Sequence, residues 1–385
     1  MKKTLAAVAV LGAFAGSAMA ADVTLYGKID LGLQYQNIEN SGYTSGNDSD
    51  SWGLKSGSNS GSRFGIKGTE QIADGLTVGF QLEQGINADA GTFSDDDRAF
   101  NRESRLFVQT NYGEFGFGRM GTLDSGLGSY DIFGGDAGVF GTGWGSTIGA
   151  DTAIFRGMGT RLDNMITYKS PSFAGMTVYG QVSLGTDSKA MYNDGAKGEG
   201  SSDVNRYYSL GVTGEWGAAS GALVVSSTDY NRYMANDTTE DNSFVVSAYG
   251  AYDFGVVKTT LGVQYYDNMV QANVTGWDVD TEKYTKPTLT KGYGVMLGAT
   301  APIASGTLYA SVGYADYEDC AENTTLGAKQ EYDAWQVGIG YQYPLSKRTY
   351  VYAAAGYTQS SMDKYNATQD DQKVTEVVAG MVHNF

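Results

Sequence analysis

Apolar and polar residues alternate along much of this chain with a period of two. Between residues 24 and 35, one parity is mostly apolar, namely Leu25, Ile29, Leu31, Leu33 and Tyr35. The other parity is mostly polar, namely Thr24, Tyr26, Lys28, Asp30 and Gln34. Residues 62–68 and 257–267 repeat the pattern. Because alternate side chains of a β-strand point to opposite faces, the pattern predicts strands with one face against an apolar environment and the other in contact with water.

The connections between these segments alternate in length. Short turns are predicted at 73–75, 112–113, 172–175, 217–219, 253–255, 303–306 and 344–347. Long polar loops are predicted at 37–61, 88–102, 122–160, 187–204, 231–241, 269–289, 318–331 and 361–372. The connections separate sixteen strands, many of about ten to twelve residues, as in an outer-membrane antiparallel β-barrel. Sixteen strands enclose a lumen wide enough for water.

Composition agrees with a single closed sheet. The chain has 54 glycines and 28 tyrosines, which suit tight turns and aromatic belts, and 4 prolines, few enough for long hydrogen-bonded strands. After residue 20 no apolar run approaches the roughly eighteen residues of a transmembrane helix. Since no linker interrupts the pattern, we expect residues 21–385 to form one all-β barrel domain.

The N-terminus has the order of a secretory signal peptide. Lys2 and Lys3 precede an apolar stretch at 5–14, and Ala18-Met19-Ala20 forms an A-x-A-like cleavage site. We expect residues 1–20 to be removed on export. The alternative, an N-terminal membrane anchor, is disfavoured because the apolar stretch is short.

Charge and cysteine content narrow the function further. Removing the two lysines from 26 basic residues leaves 24 against 43 acidic ones, a net charge of −19. This balance argues against nucleic acid or an anionic membrane surface as a partner. The single cysteine, Cys320, cannot form an internal disulfide.

Several segments resemble the general porins of Gram-negative bacteria, and the resemblance covers the mature chain. The segments are DVTLYGK (22–28), SRFGIKGTE (62–70), RLF (105–107), FGR (117–119), RLDN to YKSPSFAG (161–175), LSKRT (345–349) and the terminal Phe385. The resemblance implies a passive channel for small hydrophilic solutes, built as a homotrimeric sixteen-stranded barrel in a lipopolysaccharide-containing outer membrane. It also implies that the third loop, 122–160, folds into the lumen, and that the barrel-assembly machinery reads Phe385.

A pore selects by its width and by the charges at its narrowest part. On the wall, the expected basic residues are Lys28, Arg63, Lys67, Arg105, Arg119 and Arg161. On the third loop, the expected acidic residues are Asp124, Asp131 and Asp136, and the sequence leaves open which of them faces the pore. A lysine or arginine on the lipid face would cost about 2–4 kcal/mol, which favours inward placement. The alternative is that some of these cations sit at the rim and pair with loop acids.

Motifs typical of enzymes are few. Gly116–Gly121 matches G-x-G-x-x-G, but the following residues are typical of a loop rather than the helix that dinucleotide binding requires. The only histidine, His383, falls on the lipid parity, so a hydrolytic triad is excluded. We expect no catalysis, no cofactor and no metal.

Two other functions remain open on the sequence. A substrate-specific channel for sugars or an anion would need an aromatic ladder or a basic stripe along the lumen. A surface adhesin or structural barrel would have a plugged lumen, and a bilayer recording without channels would favour it. For the general channel, net charge predicts a weak cation preference.

Overall fold

A computed structural model describes residues 22–41, 48–145, 147–148, 151–187, 199, 204–230, 241–270, 277–278, 283–284, 289–321, 329–362 and 370–385 of the chain. The expected signal peptide, 1–20, lies outside the described residues. Within them, strands dominate, and two four-residue helices occur, α1 (Gly134–Ala137) and α2 (Asp151–Ile154). No helix in the described ranges is long and apolar enough to cross a membrane.

Sixteen described strands form the wall of a closed antiparallel barrel. They are β1 (Asp22–Ser41), β2 (Arg63–Ala73), β3 (Leu76–Asn87), β4 (Glu103–Thr110), β5 (Gly113–Gly121), β6 (Arg161–Lys169), β7 (Met176–Ser183), β8 (Arg206–Trp216), β9 (Ala219–Asp229), β10 (Phe244–Asp253), β11 (Lys258–Val270), β12 (Leu289–Ile303), β13 (Gly306–Asp319), β14 (Glu331–Pro344), β15 (Thr349–Met362) and β16 (Asp370–Asn384). Short strands also occur at Ser49–Ser56, Thr92–Phe93, Trp277–Asp278 and Lys283–Tyr284.

Each wall strand pairs with its sequence neighbours, and the first strand pairs with the last. The closing register runs from Lys28 opposite Asn384 to Ser41 opposite Asp371. The predictions of an all-β barrel and of sixteen strands are confirmed. The strands also meet at the seven predicted short turns, so one rim of the barrel, here called the turn end, carries tight connections. The opposite rim is the loop end.

The first predicted loop differs from the expectation. Residues 37–41 continue β1, and Ser49–Ser56 pairs with β1 from Ile38 to Leu31. Towards the turn end, the same edge of β1 pairs with β2, from Lys28 opposite Arg63 to Asp22 opposite Thr69. Polar composition concealed these strand residues because, at the loop end, neither face of the sheet needs to be apolar.

The outward face of the wall is apolar, as the alternation predicts. Leu25, Leu33, Leu210, Leu261 and Leu297 are all exposed on it. Exposed aromatic side chains form two bands. Trp216, Tyr252, Phe254, Tyr343 and Phe385 lie at the turn end, and Trp52, Tyr208, Phe244, Tyr293 and Trp335 lie towards the loop end. Amphipathic rings at two levels are typical of a barrel that crosses a membrane.

The third connection, 122–160, here called L3, packs against the inward face of the wall. Glycines at inward positions leave room for it. A Cβ at any of them would lie 3.0 Å or closer to an atom of L3; they are Gly211, Gly262, Gly294, Gly298, Gly313, Gly338, Gly340 and Gly356. Small wall residues therefore allow the close approach of a second layer of backbone.

Apolar side chains of L3 fill the space next to those glycines. Leu123, Phe133, Ile148, Ile154 and Phe155 are completely buried. Inward polar side chains hold the backbone of L3 at intervals. Gln181 accepts from the Leu123 N–H, Gln264 from the Arg156 N–H, and Glu376 from the Thr147 N–H. The interior of this part of the barrel is thus a core in which L3 side chains pack against inward residues of the wall.

Candidate functional site

Two expected basic residues share one hydroxyl on the inward face of β1 and β2. Lys28 Nζ donates to Ser60 Oγ at 3.1 Å, and Arg63 Nη2 donates to the same oxygen at 2.8 Å. Lys28 and Arg63 are directly opposite in the strand register. This neutral acceptor satisfies hydrogen bonds without cancelling charge, and the acids whose charges act on the pair are Asp30 and Glu83.

Glu83 on β3 is the principal acid beside these cations. It accepts from Arg102 Nε at 2.6 Å, from Arg63 Nη1 at 3.5 Å and from the Tyr26 hydroxyl at 3.0 Å. Burial and the neighbouring Arg63 lower the pKa of Arg102. A single carboxylate therefore serves two guanidinium groups, and the cluster keeps a positive excess.

Arg161 and Lys67 complete the basic side. Arg161 is the first residue of β6, and the charges that act on it are those of Arg102, Arg119, Glu83 and Glu103. Its Nε is buried and has no hydrogen-bond partner among the described residues. Lys67 is exposed, and its Nζ lies 5.2 Å from the centroid of the Tyr26 ring. Neither side chain is neutralised by a carboxylate contact in the described structure.

Arg105 has a different environment. Its Nη1 donates to the Tyr130 hydroxyl at 3.0 Å and to Glu114 at 3.3 Å, and its Nη2 donates to Gln81 at 3.2 Å. Glu103 precedes Arg105 by two residues on the same face of β4, and it accepts from the N–H and the hydroxyl of Ser129, both at 2.8 Å. These contacts place Arg105 at the attachment of L3 to the wall.

Arg119 lies in an ion-pair group near the loop end. A register shift between Gly118 and Met120 interrupts the pairing of β5 with β6. Arg119 Nη1 donates to Asp163 at 2.6 Å, and Arg98 binds the same carboxylate at 2.9 Å. The partial exposure of both cations is compatible with the rim placement that the sequence left open.

The three expected acids of L3 occupy three different environments. Asp136 is exposed, and its carboxylate interacts with the hydroxyl of the inward Tyr249. Asp131 accepts the backbone N–H groups of Gly126, Phe133, Gly134 and Gly135. Burial outweighs these bonds and raises the pKa of Asp131 to about 6.

Asp124 is placed away from the open interior. It is 5% exposed and accepts from the hydroxyls of Thr122 at 2.9 Å and Ser226 at 3.4 Å. Burial raises the pKa of Asp124. The expectation that Asp124 lines the acidic side of a constriction disagrees with this burial, because a carboxylate shielded by the wall contributes little to the field in an aqueous lumen. Asp136 has the exposure that such a role needs.

Five charged residues of this site were not predicted from the sequence, namely Glu83, Arg98, Arg102, Glu103 and Glu114. The alternation of side chains along a strand was sufficient to place three of them on the inward face. In β3 the residues Leu76, Val78, Phe80 and Leu82 alternate with Thr77, Gly79, Gln81 and Glu83, which places Glu83 inward. Glu103 and Glu114 follow from the same rule on β4 and β5. Arg98 and Arg102 lie in a loop, where no periodicity places them.

Phe385 lies at the turn end with its ring 46% exposed on the outward face. Its N–H donates to the Gly27 carbonyl, and the Gly27 N–H donates to its carbonyl, both at 3.0 Å. A Cβ at Gly27 would lie 2.3 Å from the ring. The absence of a side chain at Gly27 thus leaves room for the terminal ring beside the first strand, where β1 meets β16.

The chain is similar to known proteins over nearly its whole length. Residues 6–384 match a family model described as Gram-negative porin. An outer membrane porin protein of Bordetella pertussis is 29% identical over 100% of both chains. An anion-selective porin from Comamonas acidovorans has a similar fold, with a TM-score of 0.62, 23% identity and coverage of 95% of this chain and 100% of its own. A trimer form of OmpT, an outer membrane protein of Vibrio cholerae, has a TM-score of 0.55 and 16% identity, covering 94% and 99%.

Proposed function

Because this chain belongs to the Gram-negative porin family, which forms outer-membrane channels for passive diffusion, we propose that it narrows its lumen to a charged constriction between L3 and the barrel wall. The basic side of the constriction comprises Lys28, Arg63, Arg102 and Arg161, with Lys67 next to it. The acidic side is Asp136 on L3. Small hydrophilic solutes and ions pass between the two sides.

One observation carries the proposal. Four cations lie together on the inward side of the wall: Lys28 on β1, Arg63 on β2, Arg161 on β6 and the loop residue Arg102. Among the described contacts, Glu83 is the one carboxylate that is hydrogen-bonded to any of them. Burying uncompensated charge in a packed interior costs several kcal/mol per ion. Such a cluster is therefore stable only where water or a passing solute can solvate it, as in an aqueous pore.

The opposed charges give the pore its chemistry. A transverse field between cations on the wall and an acid on the loop orders water in the narrow region. Polar solutes interact with that field and replace the ordered water, whereas apolar solutes cannot. The acids that hold L3, Glu103 and Glu114, keep the loop at a fixed distance from the wall and so set the width of the passage.

Ion selectivity follows from two opposing contributions. The net charge of −19 after removal of residues 1–20 attracts cations to the channel mouths. The basic cluster favours anions at the narrowest part. The similar Comamonas acidovorans protein is described as anion-selective. We propose that this channel discriminates weakly, with cations preferred where the long-range charge dominates.

Membership of the porin family also bears on how the chain is exported and assembled. We propose that residues 1–20 are cleaved as a signal peptide, leaving 21–385 as the barrel domain. The exposed ring of Phe385, at the end of β16, is the element that the assembly machinery recognises. We further propose a homotrimer in a lipopolysaccharide-containing membrane, which the trimer form of the similar Vibrio cholerae protein supports.

Planar-bilayer recording of the purified mature protein tests the proposal. The expected result is ohmic single-channel steps whose size changes when Arg63 is replaced by alanine, while the barrel keeps its heat-dependent electrophoretic mobility. Swelling of protein-containing liposomes in sugars of increasing size gives the exclusion limit. A protein that inserts and folds but gives no channel contradicts the diffusion pore and favours an adhesin or a structural barrel. Unchanged conductance and selectivity in Arg63→Ala contradict the basic wall.

A further inference from the structure

A second stretch of chain, separate from L3, also enters the barrel interior. Residues 57–62, here called the inner segment, connect the strand Ser49–Ser56 to β2. Ser58, Asn59 and Ser62 are buried. Ser58 and Asn59 contact inward side chains of β1 and β15 and the backbone of L3. Ser62 bonds to the backbone of Asp30 and of Ile86. The segment therefore lies on the inside of the wall.

Asp30 on β1 holds the inner segment. Its Oδ2 accepts the N–H groups of Asn59 at 2.7 Å and Ser60 at 2.8 Å, and its Oδ1 accepts from the Tyr352 hydroxyl at 2.8 Å. The Asp30 carbonyl accepts from the Gly57 N–H at 3.0 Å. The side chain is completely buried. A buried carboxylate with three donors is a strong, geometrically specific anchor.

The inner segment also joins L3. The Gly145 N–H donates to the Ser58 carbonyl at 2.7 Å, and a Cβ at Gly143 would lie 1.8 Å from the Asn59 carbonyl oxygen. On the other side, the Tyr350 hydroxyl donates to Asn59 Oδ1 at 2.8 Å. The two inward segments are therefore in backbone contact, and together they make one continuous inner layer.

Ser60 is half-buried, and its hydroxyl faces the two cations Lys28 and Arg63. It is the one acceptor that the described contacts give to Lys28, and it is shared with Arg63. Because Asp30 fixes the Ser60 backbone, it fixes indirectly where both cations point. Ser60 is thus placed to orient the basic side of the pore, and Asp30 acts through it.

We propose that the inner segment 57–62 is a second pore-narrowing element, with Ser60 facing the permeation path and Asp30 as its positioning residue. This inference rests on the proposed function, since it assigns part of the constriction to a segment other than L3. The selectivity of the channel then depends on residues of the first connection as well as on those of the third.

Chemical modification of a single thiol tests the position of Ser60. The Ser60→Cys variant, made in a Cys320→Ser background, is recorded in a bilayer while anionic, cationic and neutral methanethiosulfonate reagents are added. All three are expected to produce a discrete downward step in single-channel current. The anionic reagent should shift the reversal potential towards cations, and the cationic reagent should shift it towards anions. The matched control is Ser172→Cys, exposed in the turn 170–175, whose modification should leave both readouts unchanged.

Complete labelling at position 60 without a current step overturns the inference. The parent recording separates this failure from failure of the proposed function, because a parent without channels refutes the pore itself. If the parent forms channels but modification at position 60 leaves the current unchanged, only the pore-narrowing role of the inner segment is refuted.

Variants of the anchor provide a second, independent test. Asp30→Ala removes both acceptor oxygens and is expected to raise the conductance and to abolish the effect of modification at position 60. Tyr352→Phe removes one donor on Oδ1 and leaves the two backbone bonds on Oδ2, so its conductance and selectivity should stay near those of the parent. Asp30→Asn keeps one acceptor oxygen and should rescue much of the parent behaviour. A folded Asp30→Ala channel with parental conductance and reversal potential overturns the positioning role.

Discussion

The guanidinium of Arg105, on the barrel wall, donates a 3.0 Å hydrogen bond to the hydroxyl of Tyr130, in L3. The same hydroxyl lies 2.5 Å from Glu114, which also accepts from Arg105 at 3.3 Å. Three side chains thus form a closed group in which each touches the other two. The beginning of L3 is attached to the wall by this group and not by apolar contacts alone.

Replacing Arg105 by alanine should therefore loosen L3. Arg105 and Glu114 are part-buried, and Glu114 keeps its hydrogen bonds from Tyr130 and Gln109. The cost should therefore be smaller than the roughly 3–5 kcal/mol of breaking a fully buried pair. We expect a lower midpoint of heat-induced unfolding, read from electrophoretic mobility, and noisier single-channel current. Tyr130→Phe, which deletes only the hydroxyl, should cost about 1–2 kcal/mol. A variant Arg105→Ala with parental stability and noise would show that the group does not hold the loop.

Arg161 should behave in the opposite way. Its Nε is buried without a hydrogen-bond partner in the described structure, and Arg102 and Arg119 are its cationic neighbours. Arg161→Ala is therefore expected to leave the unfolding midpoint unchanged or to raise it. Removing a lumen cation should also move the reversal potential towards cations. The control is Arg348→Ala, an exposed arginine in the turn after β14, which should alter neither quantity. A destabilised Arg161→Ala with unchanged selectivity would indicate a structural role instead.

The wall could be predicted from the sequence because strand parity is a local property. Side chains that the alternation assigns to lipid are exposed at Leu25 and Leu33 of β1 and at Val377 and Met381 of β16. The inward position of Lys28 follows from the same rule. Turn positions were equally accessible, since short glycine-containing connections between alternating segments have few other interpretations.

The interior could not be predicted in the same way, because it depends on contacts between distant residues. Asp124 and Asp136 lie in one loop, yet Asp124 is buried by Ser226 on β9, a contact across 102 positions. The inner segment depends on Asp30, whose polar side chain on a strand gives no sign of a partner 29 or 30 residues later. No periodicity in L3 or the first connection encodes these pairings.

Ionic strength should change the ion preference of the channel in a defined direction. The Debye length falls from about 30 Å at 0.01 M to about 3 Å at 1 M salt. Salt therefore screens the distributed acidic charge more than the cations that ions approach within a few ångströms at Lys28, Arg63 and Arg161. We expect reversal potentials at a fixed gradient ratio to indicate cation preference in dilute salt and to move towards anions in concentrated salt. A shift towards cations with rising salt would contradict this balance.

The raised pKa of Asp131, about 6, predicts pH dependence between about pH 7 and about pH 4. Its ordinary value is 3.8, so the folded barrel binds this proton more tightly than the unfolded chain does. Stability should therefore rise as the pH falls through 6, and the gain should level off below about pH 4. Protonation also removes a negative charge from L3, which should move the reversal potential towards anions. The variant Asp131→Asn is the control, and it should lack both changes. If the same shifts persist in it, another group titrates in this range.

The close approach of L3 to β12 gives a steric prediction with a matched control. A Cβ at the inward Gly294 would lie 2.0 Å from the carbonyl oxygen of Ile154, whereas a Cβ at the outward Gly250 on β10 would meet nothing within 4 Å. Gly294→Ala must displace the backbone at the end of α2, and overpacking of this kind costs about 1–3 kcal/mol. Gly250→Ala should be neutral or slightly stabilising, since alanine restricts the unfolded chain.

Heat-dependent mobility on gels measures the stability of the two variants, and single-channel recording measures their conductance. We expect Gly294→Ala to lower the unfolding midpoint and to change the conductance, because L3 and the pore width move together. Equal behaviour of the two variants would mean that L3 does not rest on β12 in the folded channel.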